Sequence, residues 1–110
     1  MAVRILIKIA TLALMLAPRI AGAVELGDPQ LGLAYARQNC AECHAVDAGD
    51  QLSPNPDAPS FEDVANTPGM NARALVVWFQ SPHPTMPHFI IPAQDTDNIV
   101  SYITSLRAKQ

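Results

Sequence analysis

The stretch Cys40-Ala41-Glu42-Cys43-His44 constrains this chain more than any other feature of its sequence. It has the C-x-x-C-H spacing at which haem is attached covalently to a protein. Two intervening residues would let both sulfurs reach one edge of a macrocycle and add to its two vinyl groups. His44 would then lie over the iron as the proximal axial ligand. The motif therefore predicts one haem c and requires a second axial ligand from elsewhere in the chain, for which we expect Met86.

Other roles for the two cysteines are less well supported by the sequence. Thioredoxin-like dithiols also have C-x-x-C, but they begin a helix after a strand, and no strand pattern precedes Cys40. A zinc site needs four ligands, and after the motif only His83 and His88 remain as nitrogen donors. A disulfide across two residues would be strained and would close too short a loop to stabilise the fold much. Haem attachment is favoured because it also gives His44 a role.

Residues 1–23 have the pattern of a secretory signal peptide. Arg4 and Lys8 supply a positive end, residues 9–17 are apolar, and Ala21-Gly22-Ala23 matches a cleavage site. The apolar run is shorter than the roughly 20 residues of a membrane span. We therefore expect cleavage after Ala23, a single domain over residues 24–110, and a periplasmic protein. Export also fits haem attachment, which takes place outside the bacterial inner membrane.

The net charge of the mature chain limits the kinds of molecule that it is expected to bind. Cleavage would remove Arg4, Lys8 and Arg19, so four basic residues against ten acidic residues would give the mature chain a formal charge of −6. Such a charge disfavours nucleic acids and anionic membrane surfaces as partners. We expect redox partner proteins with an electropositive or largely apolar docking surface.

Helix start signals and helical periodicity predict an all-α chain. Asp28-Pro29, Ser60 and Asn71 are typical residues for the beginning of a helix. The predicted helices cover residues 29–39, 61–66, 72–80 and 93–107. Gly32 lies in the interior of the first helix, where glycine costs about 1 kcal/mol relative to alanine. We therefore expect the last helix to cross the first at Gly32, with Tyr102 or its neighbours over it.

Two proline-rich segments separate these helices and hold further candidate site residues. Residues 45–60 are predicted to form an irregular loop, and the carbonyl of Pro59 is a candidate acceptor for the second ring nitrogen of His44. Alternatively, Pro59 only ends that loop. Residues 81–92 contain four prolines, which exclude a helix or an internal strand.

The chain contains three alternatives to Met86 as the distal ligand. His83 and His88 lie in the second proline-rich segment, within three residues of Met86, and Met70 is a further thioether earlier in the chain. A bis-histidine haem would have a lower reduction potential than a His/Met haem. Met86 is favoured over these three, and we expect the two histidines to be solvent-exposed loop residues.

The chain resembles the class I c-type cytochromes from about Gly27 to Leu106. Gly32 lies eight residues before Cys40, where the family has a glycine, and Tyr102 matches the aromatic residue that packs on it. Pro59-Ser60-Phe61 resembles the family's Pro-x-Leu/Phe step, whose proline carbonyl accepts a hydrogen bond from the proximal histidine.

The residues predicted to lie on the distal side of the haem also resemble those of the family. Trp78, four residues before Pro82, resembles the aromatic residue that lines this side in many members. Met86-Pro87 is similar to the family's distal methionine in its proline-rich loop. The resemblance implies the cytochrome c fold, with three to four short helices packed around one covalent haem. The residues implied to bind the haem are Cys40, Cys43, His44, Pro59, Trp78 and Met86.

The resemblance implies a periplasmic single-electron carrier rather than an enzyme. It could work as a diffusing monomer or as the small haem subunit of a respiratory or dehydrogenase complex. A second hypothesis is a haem enzyme or gas-binding sensor in which Met86 is displaced, because the short, histidine-flanked loop could hold the methionine weakly.

Overall fold

The computed structural model describes residues 27–83, 85–87 and 90–109, so the predicted signal peptide and His88 lie outside the described residues. The described residues form four helices: α1 Pro29–Asn39, α2 Phe61–Asn66, α3 Ala72–Gln80 and α4 Ala93–Ser105. The described ranges contain no strand, and the predicted all-α fold class is confirmed. None of the described helices is long and apolar enough to cross a membrane.

The first three helices begin at the predicted capping residues. The Asp28 carboxylate accepts a 2.8 Å hydrogen bond from the backbone N–H of Gln30, and Pro29 occupies the first turn. Ser60 Oγ accepts from the N–H of Asp63 at 3.0 Å, and the Asn71 side chain caps α3 in the same way. Each cap satisfies a backbone donor that has no partner within its helix.

Helices α1 and α4 cross closely at Gly32, as the sequence predicted. A Cβ atom added to Gly32 would lie 2.1 Å from the backbone oxygen of Asn98 and 2.9 Å from Cβ of Tyr102. The buried Asn98 side chain accepts a 2.8 Å hydrogen bond from the backbone N–H of Asp28, which joins the start of α1 to α4. Glycine is therefore required because two backbones meet there.

Helix α4 supplies the centre of the hydrophobic core. Its Ile99 and Ile103 side chains are fully buried, and the helix packs against each of the other three helices. The Tyr102 hydroxyl donates a 2.6 Å hydrogen bond to the carbonyl of Val46, which fastens the loop after the cysteine motif to this core. The buried apolar residues of the described ranges form one cluster: Ala36, Val46, Phe61, Ala65, Leu75, Ile99, Val100, Tyr102 and Ile103.

Helix α4 ends at Ser105, two residues before the predicted end at Arg107. The residues after it make tertiary hydrogen bonds. The Arg107 guanidinium donates to the carbonyls of Ala65 and Met70, and the N–H of Ala108 donates to the Asn66 side chain at 2.9 Å. These contacts turn the chain away from the helix axis and tie its C-terminal end to α2.

Candidate haem-binding site

The cysteine motif forms one turn of backbone that continues directly from α1. The N–H of Cys40 still donates to the carbonyl of Ala36 at 2.8 Å. The N–H groups of Cys43 and His44 then both donate to the carbonyl of Cys40, at 3.1 Å and 2.9 Å. Both cysteines are half-buried free thiols. The motif is therefore held in a compact turn, with both thiols available for a covalent bond.

The ring of His44 has a fixed hydrogen-bonding partner. Its Nδ1 atom lies 2.7 Å from the carbonyl oxygen of Pro59. A carbonyl can only accept, so Nδ1 carries the proton and the lone pair of the neutral ring is on Nε2. Metal-binding histidines commonly have this arrangement, because the second hydrogen bond fixes the ring and raises the basicity of the ligand nitrogen. The Phe61 ring packs 5.5 Å from the His44 ring, at an interplanar angle of 51°.

The loop between the motif and α2 places the Pro59 carbonyl beside the histidine. Three hydrogen bonds join the later part of the loop to the motif and to Ala45, the residue after it. They are Asn55 N–H to the Cys43 carbonyl at 3.1 Å, Ala45 N–H to Ser53 Oγ at 3.0 Å, and Phe61 N–H to the Ala45 carbonyl at 2.9 Å. These bonds order the predicted irregular loop.

The buried environment of Cys40 differs from that of a reactive cysteine in a dithiol oxidoreductase. Burial raises the pKa of the Cys40 thiol to about 11. Reactive cysteines in dithiol enzymes have lowered pKa values, because the thiolate is the nucleophile. Within the described ranges, no group of three His, Cys, Asp or Glu residues is arranged to hold a metal ion. Neither the dithiol nor the zinc alternative is supported.

The predicted distal ligand lies on the loop after α3. Met86 is half-buried and lines a cavity with six other residues: Phe79, Ser81, Pro82, His83, Pro87 and Ile91. Cys40, Cys43 and His44 are not among the residues that line this cavity. The Trp78 side chain is 52% exposed and is available to contact a bound group.

The environment of His83 differs from the expectation of an exposed loop residue. The side chain is half-buried, and its Nδ1 atom lies 2.8 Å from the carbonyl of Ser81. Its ring stands at 87° to the ring of Trp78, with 5.0 Å between the centroids. The expectation of an exposed His83 was wrong, because the loop folds back onto α3. Met70, the other alternative thioether, packs against the hydrophobic core.

Another feature that sequence reasoning missed is the backbone of Thr85, immediately before Met86. Its φ angle is 71°, in the left-handed region. A β-branched residue rarely adopts this conformation, and the sequence carried no glycine or asparagine signal for it.

The residues present fit a covalently attached haem. The motif offers two free thiols within one turn and a histidine whose Nε2 carries the lone pair. The half-buried thioether of Met86 is a suitable second ligand for iron.

Comparisons with known proteins place the chain in a haem-binding family. The family model described as Cytochrome c matches residues 30–107. Cytochrome c-552 of Bradyrhizobium diazoefficiens is 38% identical over 76 residues, which cover 69% of this chain and 72% of the relative. No solved structure matches the chain significantly. The family supports covalent haem as the cofactor and haem-based electron transfer as the activity. The chain therefore belongs to the cytochrome c family, as a c-type cytochrome of class I.

Proposed function

We propose that the chain is a periplasmic single-electron carrier, with haem c joined to Cys40 and Cys43 and with His44 and Met86 as axial ligands. When bound, the haem supplies one-electron chemistry through its Fe(III) and Fe(II) states. The observation that carries the proposal is the 2.7 Å contact between His44 Nδ1 and the Pro59 carbonyl. This contact leaves Nε2 as the donor atom of a histidine that directly follows the cysteine pair.

In this proposal, the protein side chains set the stability of the two oxidation states. His44 keeps one ring orientation through Pro59, which limits ligand movement when the charge on the iron changes. Met86 contributes a thioether, which favours ferrous iron and raises the potential relative to a second histidine. With His44 and Met86 both bound to a haem iron, no coordination position would remain for a substrate. This supports an electron carrier over an enzyme.

The partners of such a carrier are its electron donor and acceptor. The charge of −6 on residues 24–110 favours partners with an electropositive or largely apolar docking surface. Electron-transfer complexes are small and transient, so one docking surface can serve both partners in turn. The same features suit a diffusing carrier and the small haem subunit of a respiratory or dehydrogenase complex.

Periplasmic location rests on the signal-peptide pattern of residues 1–23. Intact-mass spectrometry of the protein made in an exporting bacterium tests it. We expect a chain that begins at Val24 and carries the mass of one haem after denaturation. A haem-free chain that retains residues 1–23 would contradict both export and attachment.

A second candidate function is a haem enzyme or gas sensor in which Met86 leaves the iron. The left-handed φ angle of 71° at Thr85 favours it, because a strained residue beside the ligand could help to release it. Carbon monoxide binding to the reduced protein separates the two functions. The carrier is expected to bind carbon monoxide negligibly at neutral pH, whereas rapid stoichiometric binding would favour the sensor.

A further inference from the structure

We infer that His83 is a positioning residue that holds the Met86 loop and the Trp78 ring in place on the distal side of the haem. The inference rests on the proposed function, because it takes Met86 as the distal ligand. His83 need not touch the iron for this role. His83 lies three residues before Met86 and acts through its contacts with Ser81 and Trp78 at the end of α3.

The first contact fixes the ring of His83 to the backbone. Nδ1 lies 2.8 Å from the carbonyl of Ser81, and because a carbonyl only accepts, Nδ1 is the donor. Ser81 is itself held to α3 by both its backbone and its side chain. Its N–H donates to the Trp78 carbonyl at 3.2 Å and its hydroxyl to the Val77 carbonyl at 2.7 Å. His83 is therefore bonded to a residue that cannot move independently of α3.

The second contact joins His83 to Trp78. The two rings meet edge to face, at 87° and 5.0 Å between centroids. This geometry is favourable because the positive edge of one aromatic ring meets the negative face of the other. Trp78 is 52% exposed even with His83 in place, so the contact with His83 constrains a ring that is largely open to solvent. His83 thus connects the Trp78 ring to the loop that carries Met86.

The backbone before Met86 explains why such an anchor is needed. Thr85 has a φ angle of 71°, which is unfavourable for a β-branched residue and persists only when neighbouring contacts impose it. His83 lies two residues before this position and lines the same cavity as Met86. Without the anchor, Thr85 could relax to an extended conformation and carry the thioether away from its place.

The test compares haem-loaded wild-type protein with His83→Ala. The probe is imidazole, which can bind ferric iron only when Met86 has left it. We expect His83→Ala to keep the methionine-to-iron charge-transfer band but to bind imidazole about tenfold faster. The free energy contributed by one hydrogen bond and one aromatic pair together corresponds to about a tenfold change in the rate of imidazole binding. We also expect a lower midpoint potential, because looser methionine binding favours ferrous iron less.

Conservative variants separate the two contacts from a general loss of stability. His83→Asn keeps a donor for the Ser81 carbonyl, and His83→Phe keeps a ring for Trp78. Each is expected to restore part of the wild-type imidazole rate and potential. Gln80→Ala, at an exposed position at the end of α3, is the matched control and should leave both quantities unchanged.

Two results would overturn the inference, and they are distinguishable. If the wild-type protein shows the band but His83→Ala matches Gln80→Ala in imidazole rate and potential, His83 does not position the loop. A change in unfolding free energy alone would count as this result. If the wild-type protein lacks the band, the His44/Met86 ligand set fails and the inference fails with it.

Discussion

Individual hydrogen bonds determine which atoms of this chain are able to bind a metal. The Pro59 carbonyl selects the tautomer of His44 that leaves Nε2 free of a proton, although these residues are fifteen positions apart. The cysteine motif could be predicted from the sequence because all its parts lie within five residues. The Pro59 contact was predictable only as one of two roles for that proline, because it depends on how the intervening loop folds.

The sequence around His83 and Thr85 contained no pattern that predicted their conformations. The contact of His83 with Trp78 arises because the loop turns back onto the helix it leaves. Thr85 has a conformation that its side chain disfavours, so propensity alone argues against it. Both lie beside Met86, where a functional loop can retain strain that tertiary contacts compensate.

Substitution of Gly32 tests the helix crossing. Gly32→Ala would place a Cβ 2.1 Å from the Asn98 oxygen, so α1 and α4 would have to move apart. We expect the free energy of unfolding to fall by about 1–3 kcal/mol in chemical denaturation of the haem-loaded protein.

The matched control in the same helix is Ala34→Gly. Ala34 is exposed, and this change should cost about 1 kcal/mol through helix propensity alone. If Gly32→Ala instead stabilised the protein, as it would in an unobstructed helix, the close crossing would be disproved.

At the scale of elements, helix starts were more predictable than helix ends. The caps Asp28, Ser60 and Asn71 bond within three residues of themselves, so the local sequence contains the whole interaction. The end of α4 depends on Arg107, whose partners lie 37 and 42 residues away. No local pattern at positions 105–107 encodes that contact.

Removal of the α2 cap tests whether this local interaction stabilises the helix. Ser60 is 2% exposed, and its hydroxyl accepts from Asp63 N–H at 3.0 Å. Ser60→Ala leaves that donor without its partner, so we expect a loss of about 1–2 kcal/mol in unfolding free energy.

Asp63→Ala is the control for the Ser60 variant, because it keeps the backbone donor and removes only the side chain. In the part of the chain that the structure describes, the Asp63 carboxylate makes no return bond to the Ser60 backbone. Its loss should cost roughly 0.5 kcal/mol or less through the helix dipole. Equal costs for the two variants would mean that the cap does not stabilise α2.

At the scale of the whole molecule, two tyrosines make stability depend on alkaline pH. Burial and the charge of Asp95 raise the pKa of Tyr35, and burial and the charge of Asp47 raise the pKa of Tyr102. The unfolded chain releases these protons near the ordinary pKa of 10.0, whereas the folded protein holds them to higher pH. The stabilising contribution of the two tyrosines is therefore fully present below pH 10, and it is lost as the pH rises above that value.

Denaturation of the ferrous haem-loaded protein over a pH series measures this effect. The unfolding free energy is expected to decline above pH 10, and the decline should be smaller in the double variant Tyr35→Phe/Tyr102→Phe. An equally steep decline in the double variant would show that other groups titrate.

The whole fold places the candidate ligands on two elements beside one hydrophobic core. Its described helices enclose one small core around α4, and its candidate ligands lie at two places, the turn after α1 and the loop after α3. A haem held between such elements would add apolar surface to that core. We therefore propose that His44 and Met86 would hold one iron from these two elements.

The near-infrared absorption spectrum of the oxidised haem-loaded protein tests that claim most directly, with the spectrum of Met86→Ala beside it. We predict a methionine-to-ferric-iron charge-transfer band in the wild-type protein and its loss in the variant. The same comparison with Met70→Ala is the control and should retain the band. A wild-type spectrum without the band, or a band that survives Met86→Ala, would contradict the proposed ligand pair.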